Sequence, residues 1–253
     1  MAAVITHLLL DIEGTTCPVS FVAEVLFPYA RQRLGRYLDE HGSDPAIQAL
    51  IQDVDSAWAA DNEREAVELH QRLRADQAPL EARAAVPYLE WLIDHDIKLT
   101  ALKDLQGRIW QSGYASGDLI APLYADVPDA LSRWHRQGMV LAVYSSGSVP
   151  AQQLLYGHSQ AGDLRALFQH WFDTRSGLKQ QPESYRSIAA AMGASPEQVL
   201  FVSDSLAELE AADTAGMAVL FSDRDGNPAR DPGRFERITT YSHLSLDDGL
   251  LRT

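Results

Sequence analysis

Apolar positions in this chain follow two different rules. Continuous, mostly branched apolar runs occur at Val4 to Leu10, Val140-Leu141-Ala142-Val143-Tyr144, Val199-Leu200-Phe201-Val202 and Ala218-Val219-Leu220-Phe221. Runs of that length and make-up predict buried strands. Trp171-Phe172-Asp173 predicts one more short strand, giving a sheet of about five. Helix signals lie between the runs. Ser195-Pro196-Glu197-Gln198 has the N-cap serine, early proline and N3 glutamine of a capping box, and a later helix ends near Gly216. Strand and helix alternate, which predicts a parallel sheet and an α/β fold.

The stretch from about Ser20 to Tyr124 lacks buried β-branched runs. Leu89, Leu92 and Ile93, and again Leu102, Leu105 and Ile109, fall at helical spacing. A crossover between parallel strands needs about a dozen residues plus its helix, far less than the chain between Asp11 and the Val140 run. The excess predicts a helical cap inserted into the α/β core, hinged near Cys17-Pro18 and Ala121-Pro122. The expected division is 1–19 with 122–253 as core and 20–121 as cap. Asp223 to Pro232, rich in Gly, Pro, Asp and Asn, reads as a surface loop.

Composition narrows the function classes. In 253 residues, 46% are hydrophobic, ample for a buried core. A formal charge of -14 and a pI near 4.9 argue against a nucleic-acid or membrane-surface partner. An anionic substrate would need local positive charge, from a metal and a lysine. Cys17 is the single cysteine, so no internal disulfide forms, and its expected role is that of a small buried apolar residue. Neither a leader pattern nor an apolar run long enough to span a bilayer is seen, so a soluble, cytoplasmic protein is expected. The histidines show no zinc-ligand spacing. The five tryptophans read as packing residues, with a place for Trp110 on the cap face as the other reading.

The first three runs end in polar groups: Asp11-Ile12-Glu13-Gly14-Thr15-Thr16, then Ser145-Ser146-Gly147-Ser148, then Ser203-Asp204. In open α/β sheets, ligands bind outside the carboxyl ends of the strands. Two carboxylates as close as Asp11 and Glu13 call for a compensating cation, and a hard oxygen-loving ion such as Mg²⁺ suits them. With Lys179 added, the set matches the needs of phosphoryl transfer. A carboxylate accepts the phosphoryl group, hydroxyls and a lysine hold its oxygens, and further acids hold the metal.

Asp11-Ile12-Glu13-Gly14-Thr15-Thr16, Ser145-Ser146, Lys179 and Asp204 resemble the four motifs of the haloacid dehalogenase superfamily, with Glu13 in place of its second aspartate. That glutamate, together with Pro18, Phe21-Val22, Leu26-Phe27-Pro28-Tyr29, Leu105-Gln106-Gly107, Trp110, Tyr144 to Ser148, and Asp173-Thr174 followed by Gly177, Lys179, Ser184 and Tyr185, resembles the enolase-phosphatases of methionine salvage. The resemblance runs over nearly the whole chain. It implies a Rossmann-like core with a helical cap, one Mg²⁺ per subunit held by Asp11, Asp204 and residue 13, and phosphate bound by Ser145, Ser146 and Lys179. It also implies Asp11 as nucleophile and Glu13 as acid and base, with a small phosphorylated diketone as substrate; with the nucleic-acid and membrane partners excluded by charge, a monomer is expected. Whether Glu13 meets the metal through its side chain or its carbonyl is open. Glu208, one turn after Asp204, reads equally as a group near the metal or as an exposed helix carboxylate. Gln180 and Gln181 stand where an acidic neighbour of Lys179 is expected in relatives, so the group that fixes Lys179 is unassigned. A capped phosphatase for another small phosphate monoester, and a phosphate-binding pseudo-enzyme, are the alternatives.

Overall fold

A computed structural model describes residues 4–73 and 80–245. The strands are β1 (His7–Leu10), β2 (Val140–Tyr144), β3 (His170–Phe172), β4 (Val199–Ser203), β5 (Ala218–Ser222) and β6 (Arg237–Ile238). They form one six-stranded sheet in the order β3-β2-β1-β4-β5-β6, parallel throughout. The sheet has one strand more than the apolar runs predict. Two-residue β6 carries an exposed arginine and too little apolar character to signal itself. β1 also starts later than predicted, because Val4 is half exposed and lies outside the sheet. Leu8, Leu9 and Leu10 are completely buried on the central strand, each contributing on the order of 2 kcal/mol by leaving water.

The helices are α1 (Phe27–His41), α2 (Pro45–Ala59), α3 (Arg64–Leu73), α4 (Val86–Asp94), α5 (Thr100–Ser116), α6 (Val127–Arg136), α7 (Val149–Gly157), α8 (Pro182–Ala191) and α9 (Leu206–Ala215). No described helix is long and apolar enough to cross a membrane. The chain divides into two compact units, one made of residues up to Val22 and from Ile120 onward, the other of Ala23–Leu119.

The second unit is helical. Its α2 begins where the Asp44 carboxylate accepts from Ala46 N–H at 2.8 Å with Pro45 in the first turn, and it buries Ile47, Ile51, Val54 and Trp58 along one stripe. Leu89 and Leu92 of α4 and Leu102, Leu105 and Ile109 of α5 join the same core. Trp58 stacks on Tyr88 at 4.8 Å in that core. Trp110 donates to the Leu26 carbonyl at 2.8 Å within the unit, a packing role.

In the α/β unit, two sequence expectations are corrected. Ser195 to Gln198 does not open an α-helix: Pro196–Gln198 is one 3₁₀ turn, with the Gln198 side chain accepting from Ser195 N–H at 3.0 Å, and β4 begins at the next residue. The capping box itself is present, but a buried strand follows it in place of a run of helical periodicity. The segment from Asp223 to Pro232 has no regular structure, as expected of a loop, but Asp223, Arg224 and Asn227 are buried. Loop composition reports backbone irregularity, and it is silent on where side chains go.

Candidate active site

Strand register places the chemistry. Leu10 pairs with Val143 on one side and Val202 on the other, so Asp11 comes level with Tyr144 and Ser203, and Ser145 and Asp204 follow one residue further. Because all neighbours are parallel, these ends share one edge, beside the point where strand order reverses around β1. Asp11 N–H donates to the Val202 carbonyl at 3.0 Å, extending the ladder to the aspartate itself.

The loop after Asp11 is tightly pinned. Thr15, Thr16 and Cys17 N–H groups all donate to the Ile12 carbonyl, and Thr16 Oγ1 contacts the Asp11 carbonyl at 3.1 Å and Tyr156 Oη at 2.7 Å. Gly14 has φ +66°, and a Cβ on it would stand 2.1 Å from Asp204 Oδ2, so only glycine allows this approach. The loop's carbonyls are held from elsewhere in the chain: Gly14 by Ser222 Oγ and Asn227 Nδ2, Thr15 by Tyr241 Oη, and Thr16 by Tyr124 N–H.

Lys179 lies between a 3₁₀ turn at Thr174–Ser176 and α8. Its Nζ donates to Asp11 Oδ1 at 2.8 Å and pairs with Glu208 Oε2 at 2.7 Å. Burial alone would lower its pKa, but the carboxylates of Asp11 and Glu208 raise it above the usual lysine value, so it is a fixed cation. Two tyrosines hold it in place. Tyr185 Oη donates to the Lys179 carbonyl at 2.6 Å, and the ammonium lies 5.6 Å over the Tyr144 ring, whose hydroxyl donates to the Gly177 carbonyl at 2.9 Å.

Glu208 is therefore not an exposed helix carboxylate; it is the acid that fixes Lys179, while Gln180 and Gln181 are exposed. Burial and the Asp11 charge push its carboxyl pKa upward, with Lys179 opposing. Ser203 Oγ lies 3.0 Å from Glu208 Oε2 and 3.3 Å from Asp11 Oδ2, and accepts from Ser205 N–H at 3.1 Å. In the sequence Ser203 is marked only as part of the polar end of the Val199 run, with no role of its own. Its signal was a polar side chain at the last buried position before Asp204.

Ser145 is buried at the tip of β2, where its N–H donates to the Phe172 carbonyl at 3.2 Å and its Oγ accepts from Gly147 N–H at 3.2 Å. Ser146 is exposed in the same turn. Glu13 is half-buried, and the bridge from Glu13 to Cys17 closes the loop's backbone. Burial raises the Cys17 thiol to about 12, with Glu13 adding to the effect.

Asp204 carries the clearest electrostatic mark. Burial and then the charge of Asp11 raise its carboxyl to about 7, with Lys179 opposing and Glu13 adding to the rise. Asp11, Asp204 and Glu208 crowd three carboxyl groups around the ammonium of Lys179. Among the described residues no group of three or more His, Cys, Asp or Glu side chains forms a ready-made metal cage. That donor set fits Mg²⁺, which keeps several waters and takes only one or two protein carboxylates.

Known proteins resemble this chain over most of its length. A haloacid dehalogenase-like hydrolase family model matches residues 5–216. The chain is 50% identical over 240 residues to a protein of Synechococcus elongatus named enolase-phosphatase E1, covering 95% of this chain and 98% of that one. The protein of the same name from Parasynechococcus marenigrum is 48% identical over 240 residues, again 95% and 98% covered. Among solved structures, the UTR4 protein of Saccharomyces cerevisiae superposes with a TM-score of 0.71 at 32% identity, covering 95% of this chain and 100% of that one.

Proposed function

The chain belongs to the haloacid dehalogenase-like hydrolases and, within them, to the enolase-phosphatase E1 family, and from this we propose that its carboxylate-rich strand edge converts 2,3-diketo-5-methylthiopentyl-1-phosphate, through its enol, to 1,2-dihydroxy-3-keto-5-methylthiopentene and phosphate. It is a phosphoric monoester hydrolase of methionine salvage. The observation that carries the reading is Lys179 held between Asp11 and Glu208, at the same strand edge as a crowded Asp204.

Asp11 Oδ1 is engaged by Lys179, which leaves Oδ2, with its long contact to Ser203, as the attacking oxygen. Attack forms an aspartyl phosphate as the ester P–O bond breaks, and Glu13 gives its proton to the leaving oxygen. Glu13 then takes a proton from the water that attacks phosphorus, which returns Asp11 and releases phosphate. Ser145, Ser146 and Lys179 bind the phosphate oxygens, and the fixed charge of Lys179 offsets charge that builds on them. Asp11 and Asp204 would hold one Mg²⁺ through their side chains, with residue 13 contributing its backbone carbonyl. Bound there, the ion supplies Lewis-acid stabilisation of the phosphoryl and enol oxygens.

Residues 1–19 and 122–253 serve as the catalytic core and 20–121 as the cap that selects substrate. The protein acts as a cytoplasmic monomer. The decisive experiment is incubation with Mg²⁺ and the diketo phosphate, following enol absorbance and free phosphate together. Both signals are expected in sequence; equal phosphate release from generic sugar phosphates would overturn the assignment.

A further inference from the structure

Asn227 stands in a loop whose composition suggests only a solvated turn, yet it is buried and aimed at the active-site loop. Its own turn is anchored. Asn227 N–H donates to the Arg224 carbonyl at 3.2 Å, and the buried Arg224 guanidinium lies between the rings of Tyr124 and Tyr241, at 4.8 and 4.4 Å. Arg224 Nη1 also donates to Asp126 Oδ2 at 2.9 Å and to the Thr239 carbonyl at 2.9 Å. A residue presented by such a clamp has little freedom to drift.

The Asn227 side chain uses both amide protons on backbone carbonyls, Gly14 at 2.9 Å and Ser222 at 3.1 Å. Two acceptors on Nδ2 fix the amide's orientation, because a flipped oxygen would face them. Oδ1 is thereby turned toward the same face of Gly14 that Asp204 occupies. A Cβ on Gly14 would meet Asp204 Oδ2 at 2.1 Å and Asn227 Oδ1 at 2.9 Å, and Oδ1 has otherwise a long 3.5 Å contact from Tyr124 Oη.

We propose that Asn227 is a positioning residue for the divalent-cation site: Nδ2 holds the Gly14 carbonyl so that residue 13 and Asp204 stay apposed, and Oδ1 accepts from a water carried by the ion. The inference rests on the Mg²⁺ reading given above. Groups that orient a metal's ligands and waters from behind typically govern affinity by 10- to 100-fold.

Calorimetric titration of the intact protein with MgCl₂ alone tests it. Asn227→Ala is expected to weaken Mg²⁺ binding by about tenfold, while the metal-free thermal midpoint moves by less than about 4 °C. If that variant does not fold, Asn227→Ser, which loses less volume, decides by the same titration. Binding within about twofold of the unaltered protein in the folded variant overturns the inference. Asp204→Asn separates the two levels. If the unaltered protein binds Mg²⁺, Asp204→Asn abolishes binding and Asn227→Ala does not weaken it, only the role of Asn227 fails. If the unaltered protein shows no saturable Mg²⁺ binding, both readings fail.

Discussion

Glu208 Oε2 stands 2.7 Å from Lys179 Nζ, and both side chains are largely withdrawn from water. The same ammonium reaches Asp11 at 2.8 Å, so one cation ties the end of β1 to the first turn of α9. Neutralising Glu208 leaves the Lys179 ammonium paired with Asp11 alone. Glu208→Gln keeps shape and a hydrogen-bond acceptor but removes the charge. It should lower kcat/KM for phosphate release by about tenfold, roughly 1.4 kcal/mol, mainly through KM. Unchanged steady-state constants would show that Asp11 alone suffices to place Lys179.

Asp11→Asn removes the oxygen proposed to attack phosphorus while preserving size and the strand ladder. Loss of a covalent nucleophile costs about 10⁴-fold or more in kcat, so phosphate release should vanish while the circular dichroism spectrum stays native. Retained turnover would rule out Asp11 as the phosphoryl acceptor.

Gly14→Ala would force a methyl group to within 2.1 Å of Asp204 Oδ2 at a backbone φ of +66°. The left-handed conformation alone costs about 1–2 kcal/mol for alanine, and displacement of Asp204 adds a functional loss. A lower thermal midpoint together with weaker Mg²⁺ binding is the expected pair of results. A normal midpoint with normal Mg²⁺ affinity would mean that the loop relaxes at no cost.

Asp126 links Arg224 to the Tyr241 backbone. Burial raises its pKa, but the Tyr241 N–H and the Arg224 charge outweigh that and leave it below the usual aspartate value. A depressed carboxyl pKa contributes stability above the unfolded value, about 3.9, and that contribution fades as pH falls through the lower folded value. Asp126→Asn should therefore be less stable than the unaltered protein at pH 7, with the gap narrowing below about pH 4. Urea unfolding at a series of pH values checks this, and a gap independent of pH would remove the ionic part of the argument.

Cys17 is completely buried, and burial holds its thiol at about 12. Thiolate is the reactive form, so the native protein should resist a thiol-reactive dye at pH 8, and modification should appear only with unfolding. Prompt native labelling, read by absorbance, would contradict the packing of the loop around it.

Much of the fold and site can be read along the chain, because the relevant signals are local. An apolar run that stops at Asp11, Ser145 or Asp204 marks a parallel strand opening into a polar turn, whatever lies elsewhere. The α2, α4 and α5 stripes are similarly local, set by helical period. The capping box at Ser195 misled for a related reason: the cap is local, but whether a helix follows depends on β4 taking the next residues into the sheet.

The sequence by itself determined the strand ends, their acids, serines and lysine, and the helical character of the segment between them. Tertiary structure alone decided that Glu208 fixes Lys179, that Lys179 meets Asp11 across 168 residues of chain, and that Asn227 grips Gly14 across 213. Such pairings depend on strand order, register and the clamp around Arg224, which bring distant side chains within about 3 Å. Hydrophobic periodicity encodes which face of an element is buried, and it carries no record of which distant polar group will stand opposite.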